Sequence, residues 1–60
     1  MEPASMVGKT GVSVTGLRPS GRIRIEGELY DAVSVKGFIE QDEPVKVIRY
    51  ENFQLYVMKQ

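Results

Sequence analysis

Ser13, Ser20 and Ser34, together with Lys9 and Lys36, are the side chains from which a nucleophile and its base could be assembled. The chain contains no histidine and no cysteine, which closes the imidazole and thiolate routes to acid–base and covalent catalysis. None of the serines sits in the glycine-framed turn that exposes a nucleophile, and all of them fit as strand-face or turn residues. Glu40, Asp42 and Glu43 form an acidic cluster that could attract a divalent cation. A calcium loop also requires a mid-loop glycine and a distant bidentate glutamate, and this cluster has neither. It reads as a solvated turn. No catalytic residue, metal or cofactor is expected.

Arg22 and Arg24 on one segment, with Tyr30, Tyr50 and Tyr56 on others, could bind a single-stranded nucleic acid by stacking bases beside a basic groove. Charge argues against it: eight basic and eight acidic residues give a formal net charge of zero, whereas phosphate binding needs a basic excess. Nucleic-acid binding is therefore the alternative function rather than the first. The longest apolar run, Leu55-Tyr56-Val57-Met58, is far below the roughly 20 residues of a membrane span. Residues 1–6 lack the charged start and apolar stretch of a secretion signal and read as a flexible lead-in or expression remnant.

The elements that must position these residues are strands. Residues 45–60 are the longest stretch free of glycine and proline, yet helical spacing through Val45, Ile48, Asn52 and Tyr56 places a polar residue mid-stripe. Alternation fits better, with Val45 and Val47 flanking Lys46, and Leu55 and Val57 flanking Tyr56. Turn residues divide the chain into strands at about 7–15, 22–25, 28–36, 44–50 and 53–58. Arg18-Pro19-Ser20-Gly21 predicts a type I turn, Glu26-Gly27 a tight hairpin, and Glu51-Asn52 a second reversal. Gly37 ends the third strand, and residues 38–43 are a short polar connection with two apolar anchors, Phe38 and Ile39.

Sixty residues make one domain with a thin core, and closing a sheet removes its exposed edges. The fold class is all-β: a five-stranded OB-type barrel over residues 7–58, with an SH3-like barrel as the alternative.

The run Val7-Gly8-Lys9-Thr10-Gly11-Val12, then Thr15-Gly16-Leu17-Arg18-Pro19-Ser20-Gly21, closely resembles the opening of the soluble C-terminal domain of NfeD-family membrane proteins. The match continues through Gly27, Tyr30-Asp31-Ala32, Ser34, Phe38-Ile39, Val45-Lys46-Val47 and Leu55-Tyr56-Val57. Asp42 and Asn52 stand where such sequences usually have glycine, and both residue types tolerate positive φ. The resemblance implies an OB barrel with a short connection between strands three and four. It also implies a membrane-anchored parent with this domain soluble beside the bilayer; the cytoplasmic side is the one expected. The implied partners are stomatin- or flotillin-type scaffold proteins; self-association is the other expectation. The separate protease domain of long family members has no counterpart in these residues.

One feature of the pattern locates the contact. If Ala32, Val45, Val47, Leu55 and Val57 face inward, then Val33, Val35, Ile48, Tyr50, Tyr56 and Met58 face outward. An exterior apolar patch of this kind marks a contact surface unless a bulge buries part of it. Leu17, Arg18, Pro19, Ser20 and Gly21 read as a turn-forming element rather than a recognition loop. The expected function is a non-catalytic interaction module.

Overall fold

A computed structural model of the chain describes residues 3–60. Five strands, β1 (Thr10–Ser13), β2 (Ser20–Ile25), β3 (Glu28–Ser34), β4 (Pro44–Glu51) and β5 (Gln54–Lys59), close into a barrel in the order β1-β2-β3-β5-β4. All neighbours are antiparallel except β3 and β5, whose parallel register pairs Val33 with Tyr56. This is the expected OB-type barrel. Among the described residues no helix is long and apolar enough to cross a membrane.

The hairpins explain the strand ends. Glu26 (φ 52°) and Gly27 (φ 82°) are both left-handed, as a two-residue type I′ loop requires. The second hairpin turns on Asn52 (φ 52°) and Phe53 (φ 62°), one residue later than the Glu51-Asn52 reversal expected from sequence. Gln54, not Phe53, therefore opens β5. The first strand is shorter than expected because Gly8 (φ 95°) bends its start, while the Val14 and Thr15 amides converge on the Arg22 carbonyl at its end. The peptide bond between Arg18 and Pro19 is cis, and Ser20 and Gly21 already belong to β2, so the type I turn expected over Arg18-Pro19-Ser20-Gly21 does not form.

The core comprises Met6, Leu17, Ile23, Ile25, Ala32, Ile39, Val45, Val47, Leu55 and Val57, with Tyr30 and Tyr50 packed against it. Strand β3 thus buries the Tyr30, Ala32 and Ser34 face. Met6 corrects the expectation of a loose lead-in over residues 1–6. Residues Pro3–Met6 form a turn of 3-10 helix, and Met6 is only 1% exposed. The Lys9 amide donates to the Met6 carbonyl, and the Gly8 amide to Val47 on β4, which ties this turn to the barrel. Met1 and Glu2 lie outside the described residues.

The connection between β3 and β4 contains no helix. Leu17 and Ile39 exchange backbone hydrogen bonds of 2.7 and 3.1 Å, and both side chains are buried, so this loop pairing seals the barrel beside the β1–β2 turn. Ser13 fastens the other end of the connection. It is fully buried, its hydroxyl donates to the Glu40 carbonyl at 2.5 Å, and it accepts the Glu43 amide at 2.9 Å.

Candidate interaction surface

The six residues expected to form an exterior patch divide into five and one. Val33 on β3, Tyr56 and Met58 on β5, and Ile48 on β4 lie on the outer parity of adjacent strands, and Val35 continues the line just past β3. Val35, Ile48 and Met58 are 39%, 37% and 38% exposed, while Val33 and Tyr56 are half-buried. Val33 pairs with Tyr56, which pairs with Arg49, so three strands present one continuous row.

Tyr50 does not belong to it. The register of β4 against β5 shifts between Val47 and Arg49, with Ile48 as the extra residue. Ile48 and Arg49 both reach the exterior, and Tyr50 swings inward to pack against the core. A one-residue bulge exchanges the two faces for everything beyond it, and strict alternation cannot anticipate that.

Arg49 fixes the chemistry at the middle of the row. Its guanidinium carbon lies 4.7 Å from the centre of the Tyr56 ring, within cation–π range. Its Nε is 3.4 Å from the Glu51 carboxylate. The guanidinium thus sits over the aromatic face, and one polar group lies among apolar neighbours. The surface offers tyrosine, methionine and guanidinium contacts, types enriched where proteins meet, beside aliphatic Val33, Val35 and Ile48.

The other candidate groups are accounted for within the barrel. The Ser34 hydroxyl donates to the Gly37 carbonyl at 2.7 Å, Lys9 pairs with Glu26 at 2.9 Å, and Ser20 is exposed at the start of β2. Among the described residues no group of three or more acidic side chains converges as metal ligands would. Arg22 is engaged by Asp31 at 3.2 Å across the β2–β3 pair, which neutralises half of the arginine pair expected there.

Within the turn motif, Leu17 is buried while Arg18, Pro19 and Ser20 are exposed. Gly21 is required for space rather than for φ. A Cβ built on it would lie 2.5 Å from Leu17 Cδ2, 2.6 Å from Thr15 Oγ1 and 2.7 Å from the Gly16 carbonyl.

Two features escaped the sequence reading. Val12 and Leu29 flank Arg24 on a second exterior row, because Ser13 rather than Val12 takes the inward position on β1. Phe53, at the tip of the β4–β5 hairpin, is 94% exposed. Beside that tip lies an open hollow of about 360 Å³ lined by Ser20, Gly21, Arg22, Asp31, Ala32 and Gln54.

A closed five-stranded barrel carrying a mixed apolar and aromatic outer row defines a small OB-type domain. The family of NfeD-like C-terminal, partner-binding domains matches residues 3–59, and the chain belongs to that family. It is 44% identical over 52 residues to membrane protein NfeD1b of Bacillus subtilis strain 168, covering 87% of this chain and 12% of that protein. The chain therefore spans a small part of the curated relative's length. Among solved structures, it resembles the C-terminal domain of stomatin operon partner protein 1510-C from Pyrococcus horikoshii. That likeness has a TM-score of 0.87 and 37% identity, over 93% of this chain and 89% of that one. The soluble domain of a Corynebacterium glutamicum membrane protein implicated in regulation of membrane protease activity shares the fold. Its TM-score is 0.84, at 24% identity over 97% of both chains.

Proposed function

We propose that this chain is a non-enzymatic docking module, the soluble domain of a membrane-anchored protein, which binds a stomatin- or flotillin-type scaffold on the cytoplasmic side of the membrane. The observation that carries this reading is the row Val33–Tyr56–Arg49 with Val35, Ile48 and Met58 beside it. The core has no use for these side chains, and they sit on a surface where solvated residues would serve stability as well. The family's description as partner-binding and the printed name of the Pyrococcus relative, a stomatin operon partner, support the choice of partner. Single-strand binding is less well supported, since Arg22 is held by Asp31 and the net charge is zero.

The test is titration of the chain against the stomatin-type protein of its own organism by isothermal calorimetry. Ile48→Asp and Tyr56→Asp are each expected to weaken binding at least about 30-fold, the scale of a hot-spot loss. Both variants should still melt in one cooperative step. Binding that persists unchanged in both variants would overturn the surface assignment. Salt-sensitive binding of a labelled single strand, lost in Arg22→Ala and Arg24→Ala, would favour nucleic acid instead.

A further inference from the structure

The β4–β5 hairpin carries a residue that its own fold does not want. Its two-residue loop holds both positions at positive φ, a geometry whose most favoured sequence is Asn–Gly. Asn52 meets the first requirement. The second position is Phe53, at φ 62°, where a side chain with a Cβ is strained and only glycine is relaxed. The ring gains nothing from the barrel in return, since it is 94% exposed and stands outside the core cluster. An exposed phenylalanine on a strained backbone costs stability through its conformation and recovers none of it through burial. Strain of this kind marks positions held for function.

We infer that Phe53 is the anchor of the docking surface, a ring presented to an apolar pocket on a folded protein partner. This inference rests on the docking reading above and deepens it. The tip is continuous with the outer row. Glu51 pairs with Gln54 next to the loop, and Arg49 pairs with Tyr56 one outward step further down the same hairpin. At about 3.4 Å per residue, ring and row fall within roughly 15 Å, well inside the footprint of one standard interface.

The loop's surroundings select the occupant. A bilayer would be met by a single ring flanked by Glu51, Asn52 and Gln54 on a chain of zero net charge, with no basic cluster to hold anionic lipid. A second copy offers the ring, in the hollow beside this tip, an open site lined largely by polar residues including the Arg22–Asp31 pair rather than an apolar pocket. A protein pocket is the environment in which one aromatic side chain contributes most.

The experiment compares Phe53→Gly and Phe53→Ala with the unaltered chain in the same calorimetric titration, alongside thermal melting. Both variants are expected to bind at least tenfold more weakly. Phe53→Gly is also expected to melt about 4–8 °C higher than the unaltered chain, because it restores the favoured Asn–Gly loop. Phe53→Ala keeps the strained backbone and should show little of that gain. A binding loss below tenfold overturns the anchor while leaving the docking module standing. A lower melting temperature in Phe53→Gly overturns the strain argument. Failure of the unaltered chain to bind overturns the docking reading and the anchor with it. Phe53-dependent sedimentation with phosphatidylcholine–phosphatidylglycerol vesicles, or a Phe53-dependent dimer in analytical ultracentrifugation, overturns the choice of a protein pocket.

Discussion

Ser13→Ala removes one buried oxygen and breaks the fastening between β1 and the β3–β4 connection. The hydroxyl donates to the Glu40 carbonyl at 2.5 Å and accepts the Glu43 amide at 2.9 Å, and the side chain is fully buried. The two orphaned groups differ in cost. Glu40 is exposed, so its carbonyl can turn toward water. The Glu43 amide faces the space the hydroxyl occupied and has no other acceptor there. Leaving such a donor unsatisfied costs about 1–3 kcal/mol. A loss of about 2 kcal/mol is a large fraction of the roughly 3–9 kcal/mol expected of a domain this size. With a urea slope of about 1 kcal/mol per molar, the unfolding midpoint should fall by about 2 M at unchanged slope. Hydrogen exchange adds a local readout, since the Glu43 amide should lose protection while the Ser13 and Asp42 amides keep their backbone partners. A midpoint shift below about 0.5 M, with the Glu43 amide as protected as before, would refute the reasoning.

Three further substitutions probe packing at the Leu17–Gly21 segment and at the Pro3–Met6 turn. Gly21→Ala inserts a methyl where Leu17 Cδ2, Thr15 Oγ1 and the Gly16 carbonyl all lie within 2.7 Å, and should cost about 1–3 kcal/mol by overpacking. Arg18→Ala, three residues away and exposed, should stay within about 0.5 kcal/mol, and equal effects of the two in urea melts would refute the close-approach argument. Met6→Ala should cost about 2–4 kcal/mol, because a side chain 1% exposed is deleted from a core that cannot easily collapse around the gap. A Met6→Ala variant as stable as the unaltered chain would show that the Pro3–Met6 turn lies outside the cooperative unit.

Period-two alternation made β2, the first half of β4 and β5 legible, because Ile23 and Ile25 alternate with Arg22 and Arg24, Val45 and Val47 flank Lys46, and Leu55 and Val57 flank Tyr56. It misleads on β1. There the apolar pair Val12 and Val14 suggests a buried face, yet register against β2 pairs Ser13 with Ile23 and turns the serine inward. The polar residue is tolerated because the connection passes over it and consumes its hydrogen bonds, a tertiary fact with no local trace. The inward Met6 is likewise a product of what packs around it. Phe53 was missed for the opposite reason. Nothing in a phenylalanine announces positive φ, so the asparagine beside it drew the reversal one residue early.

The bulge at Ile48 was readable, and the signal lay in a charge rather than in the apolar pattern. Uninterrupted alternation from Val45 through Val47 would carry Arg49 into the barrel and leave Tyr50 in water. An unpaired guanidinium in so small a core would cost several kcal/mol, more than a local irregularity in the ladder. One extra residue resolves the conflict. It moves Arg49 out to lie over Tyr56 and brings Tyr50 in against the core. The same shift places Ile48 and Arg49 side by side on the exterior, which a regular strand could not do. Core and contact surface are therefore linked through a single backbone feature. Removing the bulge would bury a charge and dismantle the outer row at once, so selection on the fold alone is enough to hold the surface's geometry in place.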